Sequence, residues 1–174
     1  MLVNIGPPQE PSDIVDQLKE CHDRIRTFIS LAARLASTDV ISDIEVREAA
    51  ARVTRYFSEA LPLHVADEEE SILPRLHGKT AELDAALSEM HGEHREHEPQ
   101  VETLLGVCRK LQTLPENLNE LRPTLLASAT KLGQEFLSHL DKEEKVILPA
   151  IRQLATVEER DAMLRELRAR RTKS

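Results

Sequence analysis

Apolar residues recur at threes and fours along four long stretches of the chain, one stripe to each. The first stripe is Ile14, Leu18, Ile25, Phe28, Ile29, Ala32 and Leu35. The second, from about Ser42 to Leu73, holds Ile44, Ala50, Val53, Phe57, Leu61 and Ile72. The third, from Thr80 to about Leu114, holds Leu83, Leu87, Met90, Val101, Leu104, Cys108 and Leu111. The fourth, from Pro123 to Pro149, holds Leu126, Ala129, Leu132, Phe136 and Ile147. Each spacing predicts an amphipathic helix. Short polar breaks join them, so neighbours should run antiparallel. The expectation is an all-α fold, an up-down-up-down four-helix bundle with a short C-terminal fifth helix.

Local signals set the boundaries. Residues 1–11 hold three prolines and a glycine and read as an irregular N-terminal arm. The bundle follows over 12–151, with Ser12 as N-cap and Asp13 in the first turn. Thr80 caps the third helix, and Pro123 suits the first turn of the fourth. Pro62 predicts a kink just before His64, and Pro99 one beyond His94. Pro74 and Pro149 are expected to end their helices. In 152–174, the capping box Thr156-Val157-Glu158-Glu159 opens the fifth helix, to about Arg170. The basic run at 168–173 reads as a frayed, solvated end.

The stripes are not wholly apolar, and the exceptions repeat. His64-Val65-Ala66-Asp67-Glu68-Glu69-Glu70-Ser71-Ile72-Leu73-Pro74 aligns without gaps on His139-Leu140-Asp141-Lys142-Glu143-Glu144-Lys145-Val146-Ile147-Leu148-Pro149. The histidine, both glutamates after it and the Ile-Leu-Pro ending are shared. Each half also has an earlier helix with one stripe histidine: His22 follows Leu18 by four, and His94 follows Met90 by four. The duplicated halves therefore point His22, His64, Glu68, His94, His139 and Glu143 at one bundle core.

Composition narrows the class. The 174 residues include one Tyr, three Phe and no Trp, and 31% are charged, which suits packed helices better than a β-sandwich. A net charge of −8 argues against nucleic acid as a partner. No apolar run approaches membrane-spanning length, and the first eleven residues lack the zones of a signal peptide. Cys21 and Cys108 form no close pair, so neither a disulfide framework nor a thiolate zinc site is indicated. A reducing cytoplasm is the default location.

Two buried carboxylates among four imidazoles either pair with one another or bind metal. Mutual pairing makes a costly buried network. Six inward ligands are too many for one tetrahedral zinc but suit two ions with each glutamate as a bridge. Imidazole with carboxylate and no thiolate suits iron, manganese or zinc, and open positions favour iron. His91, three before His94, is a candidate fifth imidazole; the alternative is a boundary residue facing a neighbouring helix. His97 is expected in the core or supporting the ligands. Glu69 and Glu144 read as surface or supporting acids, Tyr56 as a core aromatic, His77 as a loop residue.

On His22, His64 with Glu68, His94, and His139 with Glu143, the chain resembles the hemerythrin-like, His-His-Glu cation-binding family. That resemblance implies a non-haem di-iron centre, bridged by Glu68 and Glu143 with room for an oxo bridge. It also implies binding or sensing of dioxygen or nitric oxide, or handling of iron. Oxygen-carrying members place two histidines four apart on the third helix and an aspartate five after the last histidine. Here those places hold Met90, Glu98 and Glu143 at a spacing of four, closer to the bacterial and regulatory branch. A second expectation is an enzyme on the same irons, decomposing hydrogen peroxide or acting in nitric-oxide and iron–sulfur repair chemistry. A third is a metal-free helical interaction module. The redox partner stays open.

Overall fold

A computed structural model describes residues 13–172; the expected N-terminal arm lies outside the described residues. The described residues form five helices and no strand. Helix α1 is Ile14–Ser37, α2 spans 43–76, α3 is Ala81–Thr113, α4 spans 118–154 and α5 is Val157–Thr172. Helices α1 and α3 each lie along both α2 and α4. No described helix is long and apolar enough to cross a membrane.

The caps follow the chemistry of the sequence. Thr80 accepts from the Leu83 backbone N–H at 3.1 Å. The Thr156 capping box is complete, with bonds of 2.8 and 3.1 Å between Thr156 and Glu159. A second box, Ser42 with Glu45, opens α2. The cap of α1 is Asp13, whose carboxylate accepts from the Asp16 N–H at 2.9 Å, one residue beyond the expected Ser12.

Prolines behave differently from expectation. Neither Pro74 nor Pro149 stops its helix: α2 runs to Leu76 and α4 to Leu154. Three π turns explain how. Tyr56–Ala60, Asp67–Ile72 and Glu143–Ile147 each end two residues before a proline. A proline ring clashes with the carbonyl four residues back and donates no hydrogen bond. In the wider turn, the N–H groups of Leu61, Leu73 and Leu148 reach the carbonyls five back, on Tyr56, Glu68 and Glu143. Pro123 lies inside α4 rather than in its first turn, because a 3₁₀ turn at Pro115–Asn117 starts that helix at Leu118.

Two stripe positions also shift. Ile44 and Leu126 are exposed, whereas Val46 and Leu125 are buried. Val46 lies four before Ala50, a better helical spacing than Ile44 offers. The apolar core is split in two. One cluster gathers around Ile25, Phe57, Leu104 and Phe136, the other around Leu18, Ile72, Leu87 and Ile151. Along the four long helices His22, His64, Glu68, His94, His139 and Glu143 fall between residues of one cluster and residues of the other. The basic end of α5 is docked, not frayed. Met163 and Leu167 are fully buried, and Arg170 and Arg171 both bind the buried carboxylate of Asp67.

Candidate metal centre

Each long helix delivers a ligand group to the gap between the two apolar clusters. His22 comes from α1, His64 and Glu68 from α2, His94 from α3, and His139 and Glu143 from α4. All six are buried. Within α2 and α4 the four-residue spacing sets the histidine and glutamate on one face. Both glutamates open a π turn or lie one residue inside it, so the two halves present their carboxylates from the same local backbone.

The side chains form two groups that share both carboxylates: His22, His64, Glu68 and Glu143; and His94, His139, Glu68 and Glu143. Glu68 Oε1 lies 3.3 Å from His64 Nε2 and 3.9 Å from His22 Nε2, while its Oε2 lies 3.1 Å from His94 Nε2. Glu143 mirrors it, with Oε2 3.2 Å from His22 Nε2 and Oε1 3.0 Å from His139 Nε2. Each carboxylate thus offers one oxygen to each pair of imidazoles.

These donors fit metal better than they fit one another. His22 Nε2, His64 Nε2, His94 Nε2, Glu68 Oε2 and both Glu143 oxygens are buried and make no hydrogen bond. Close approach without hydrogen-bond geometry is the arrangement of lone pairs converging on a cation, and two imidazoles with two carboxylate oxygens suit iron, manganese or zinc. Without a cation, protons must balance the charge. Burial disfavours charge on His22 and His139, but the facing carboxylates outweigh it, pushing them up to about 10 and about 9. His94 is raised too, burial again being outweighed, chiefly by Glu68. His64 is lowered, burial outweighing the attraction of Glu68.

Behind the imidazoles stands a ring of acids. His22 Nδ1 pairs with Glu144 at 2.9 Å, His94 Nδ1 with Glu69 at 2.9 Å, and His139 Nδ1 with Glu93 at 2.7 Å. A carboxylate there fixes the ring and leaves Nε2 free to face the centre. Glu69 and Glu144 are thus supporting acids. Periodicity does not mark Glu93; its place just before the stripe residue His94 is the one signal the sequence offers.

His91 belongs to neither group. It is half-buried, with Nδ1 2.9 Å from Glu69 Oε1, so it meets the ring of acids rather than the centre. His97 is buried against Phe136, its ring 4.6 Å from that ring and 5.2 Å from His139. Burial, with help from His139, lowers its pKa to about 4 and keeps it neutral. Tyr56 is a core aromatic, stacked on Phe28 at 4.2 Å with its hydroxyl 3.4 Å from the Cys21 carbonyl. Burial pushes the Cys108 thiol up to about 12. His77 is a surface residue beside Asp84.

A cavity of about 570 Å³ opens between α2 and α3 and reaches the centre. His64, His94, His97 and His139 line its inner end, and Phe57, Leu61, Val101 and Phe136 its apolar walls.

Comparison with known proteins found no match among curated proteins and none among solved structures. The family model described as the hemerythrin HHE cation binding domain matches residues 13–151. With its bundle and its paired His/Glu groups, this chain belongs to the hemerythrin HHE cation-binding domain family.

Proposed function

We propose that the protein holds two iron ions, one in each His/Glu group, and uses them to bind or sense a small ligand, dioxygen or nitric oxide. The observation that carries this reading is that Glu68 and Glu143 are members of both groups. His22 and His64 would hold one ion, His94 and His139 the other, with both glutamates between them. Bound iron would supply reversible ligand and electron exchange. The chain supplies the rest: apolar walls of Phe57, Leu61, Val101 and Phe136 beside the centre, imidazoles oriented by Glu69, Glu93 and Glu144, and a cavity through which the ligand arrives. Handling of iron itself is the related role of the same centre. A cytoplasmic setting fits this reading, since Cys21 and Cys108 are both free.

One feature favours an enzymatic second reading, decomposition of hydrogen peroxide. The cavity is far larger than a diatomic molecule needs, and its inner end carries the neutral His97 imidazole, whose buried Nδ1 has no hydrogen-bond partner among the described residues and can hold peroxide by a hydrogen bond. The experiment is to load anaerobic protein with Fe(II) and admit oxygen, nitric oxide or peroxide separately. A reversible visible absorption change with oxygen or nitric oxide, with peroxide left intact, supports the binding role. Sustained peroxide turnover that falls in His97→Phe supports the enzyme. No spectral response to any of the three refutes both.

A further inference from the structure

The two halves of the centre match in their inward ligands and differ in what stands behind them. Aligning His22 with His94 and His64 with His139 pairs Glu144 with Glu69 and Cys21 with Glu93. The supporting acids are exchanged between halves: Glu144 of the second half holds His22 of the first, and Glu69 of the first holds His94 of the second. Glu93 then holds His139. By the same repeat, the support of His64 should come from residue 21, and residue 21 is a cysteine. Its Sγ lies 3.6 Å from Arg171 Nη2. His64 Nδ1 is buried and has no hydrogen-bond partner among the described residues.

We infer that the two metal positions are unequal: the one formed by His94 and His139 binds its ion more tightly and fills first, and the one formed by His22 and His64 holds a weaker, exchangeable ion. This rests on the dinuclear reading above. A carboxylate behind an imidazole fixes its orientation, fixes which nitrogen carries the proton, and raises its basicity toward the metal. The His94/His139 position has two such acids, and the other has Glu144 alone. Each acid also meets one further cationic or imidazole group: Arg26 at Glu144, His91 at Glu69 and Lys142 at Glu93. Those contacts offset one another, so the difference that remains is the missing acid at position 21.

Mutual repulsion of two ions would separate their binding steps even in a symmetric centre, so single-position variants make the test. His64→Ala leaves the His94/His139 position, and His139→Ala leaves the His22/His64 position. Each metal-free variant is titrated anaerobically with Co(II) and followed by its visible absorption. His64→Ala should bind its ion about 10- to 100-fold more tightly, the range typical of one supporting partner. Adding Glu93→Gln to His64→Ala should remove most of that advantage. Adding Cys21→Glu to His139→Ala should tighten binding by a similar factor; if that variant misfolds, the Glu93→Gln comparison decides alone. Equal affinities in the two single-position variants, or no effect of Glu93→Gln, would overturn the inequality. Wild-type protein that takes two Co(II) in that event leaves the dinuclear reading standing, whereas wild-type protein that takes none refutes both.

Discussion

Asp67 is 1% exposed and sits one residue before Glu68, and its charge is balanced from α5. Arg170 Nη1 approaches Oδ1 at 2.9 Å and Arg171 Nη2 approaches Oδ2 at 2.8 Å. Arg170→Ala with Arg171→Ala would leave two outcomes for the chain. If α5 stays docked, a buried carboxylate loses its partners, which costs about 3–5 kcal/mol. If α5 peels away so that water reaches Asp67, the burial of Met163 and Leu167 is lost, at about 1.5–3 kcal/mol each. Either route costs roughly 3 kcal/mol or more, equivalent to a Tm lower by about 6–12 °C for a chain of this size. Either arginine alone should matter much less, since the other still faces Asp67 and both are partly solvated. Thermal unfolding by circular dichroism, in chelator, reads the effect. Adding Asp67→Asn to the double variant should recover part of the loss, because the uncompensated charge is gone. A Tm drop below about 2 °C in the double variant, or no recovery with Asp67→Asn, would refute the clamp.

Three further outcomes are expected. Glu143→Gln should release both ions with helix content kept, because its oxygens face both histidine pairs, whereas His64→Ala should keep one ion; metal analysis with circular dichroism distinguishes them. His91→Ala should retain two ions per chain, since His91 meets Glu69 and stands outside both His/Glu groups, and loss of an ion would make it a ligand after all. Stabilisation by redox-silent Zn(II), read as the Tm difference from the chelated protein, should grow between pH 6.5 and 10. His22 is raised from 6.5 to about 10, so in metal-free protein its contribution is complete below 6.5 and disappears as pH rises toward 10. Zinc competes with that proton, so its binding strengthens over the same window. A Tm difference flat across the window would contradict the charge balance drawn here.

Most of the bundle was legible because helical periodicity and capping are local. Thr80 and Thr156 cap where their side chains predict, and the four inward histidines fall on the stripes. What escaped depends on tertiary context. Proline reads in isolation as a stop at Pro74 and Pro149 and as a kink at Pro62, but at all three a π turn absorbs the ring and the helix continues. Leu125 and Leu126 fit the stripe almost equally, and only packing against the other helices chooses between them. The Arg170–Arg171 end looks frayed until the buried charge of Asp67, more than a hundred residues earlier, is known. In the centre, the repeat marked the six inward ligands, because duplicated chemistry leaves duplicated sequence. Glu93 aligns with Cys21, not with an acid, so the repeat does not mark it; its role depends on the tertiary contact with His139.

Counting the iron bound by protein at anaerobic dialysis equilibrium with excess Fe(II), against a protein-free chamber, tests the dinuclear centre most directly. Two irons per chain are predicted. A single iron, or none, would contradict a site in which Glu68 and Glu143 each serve two ions.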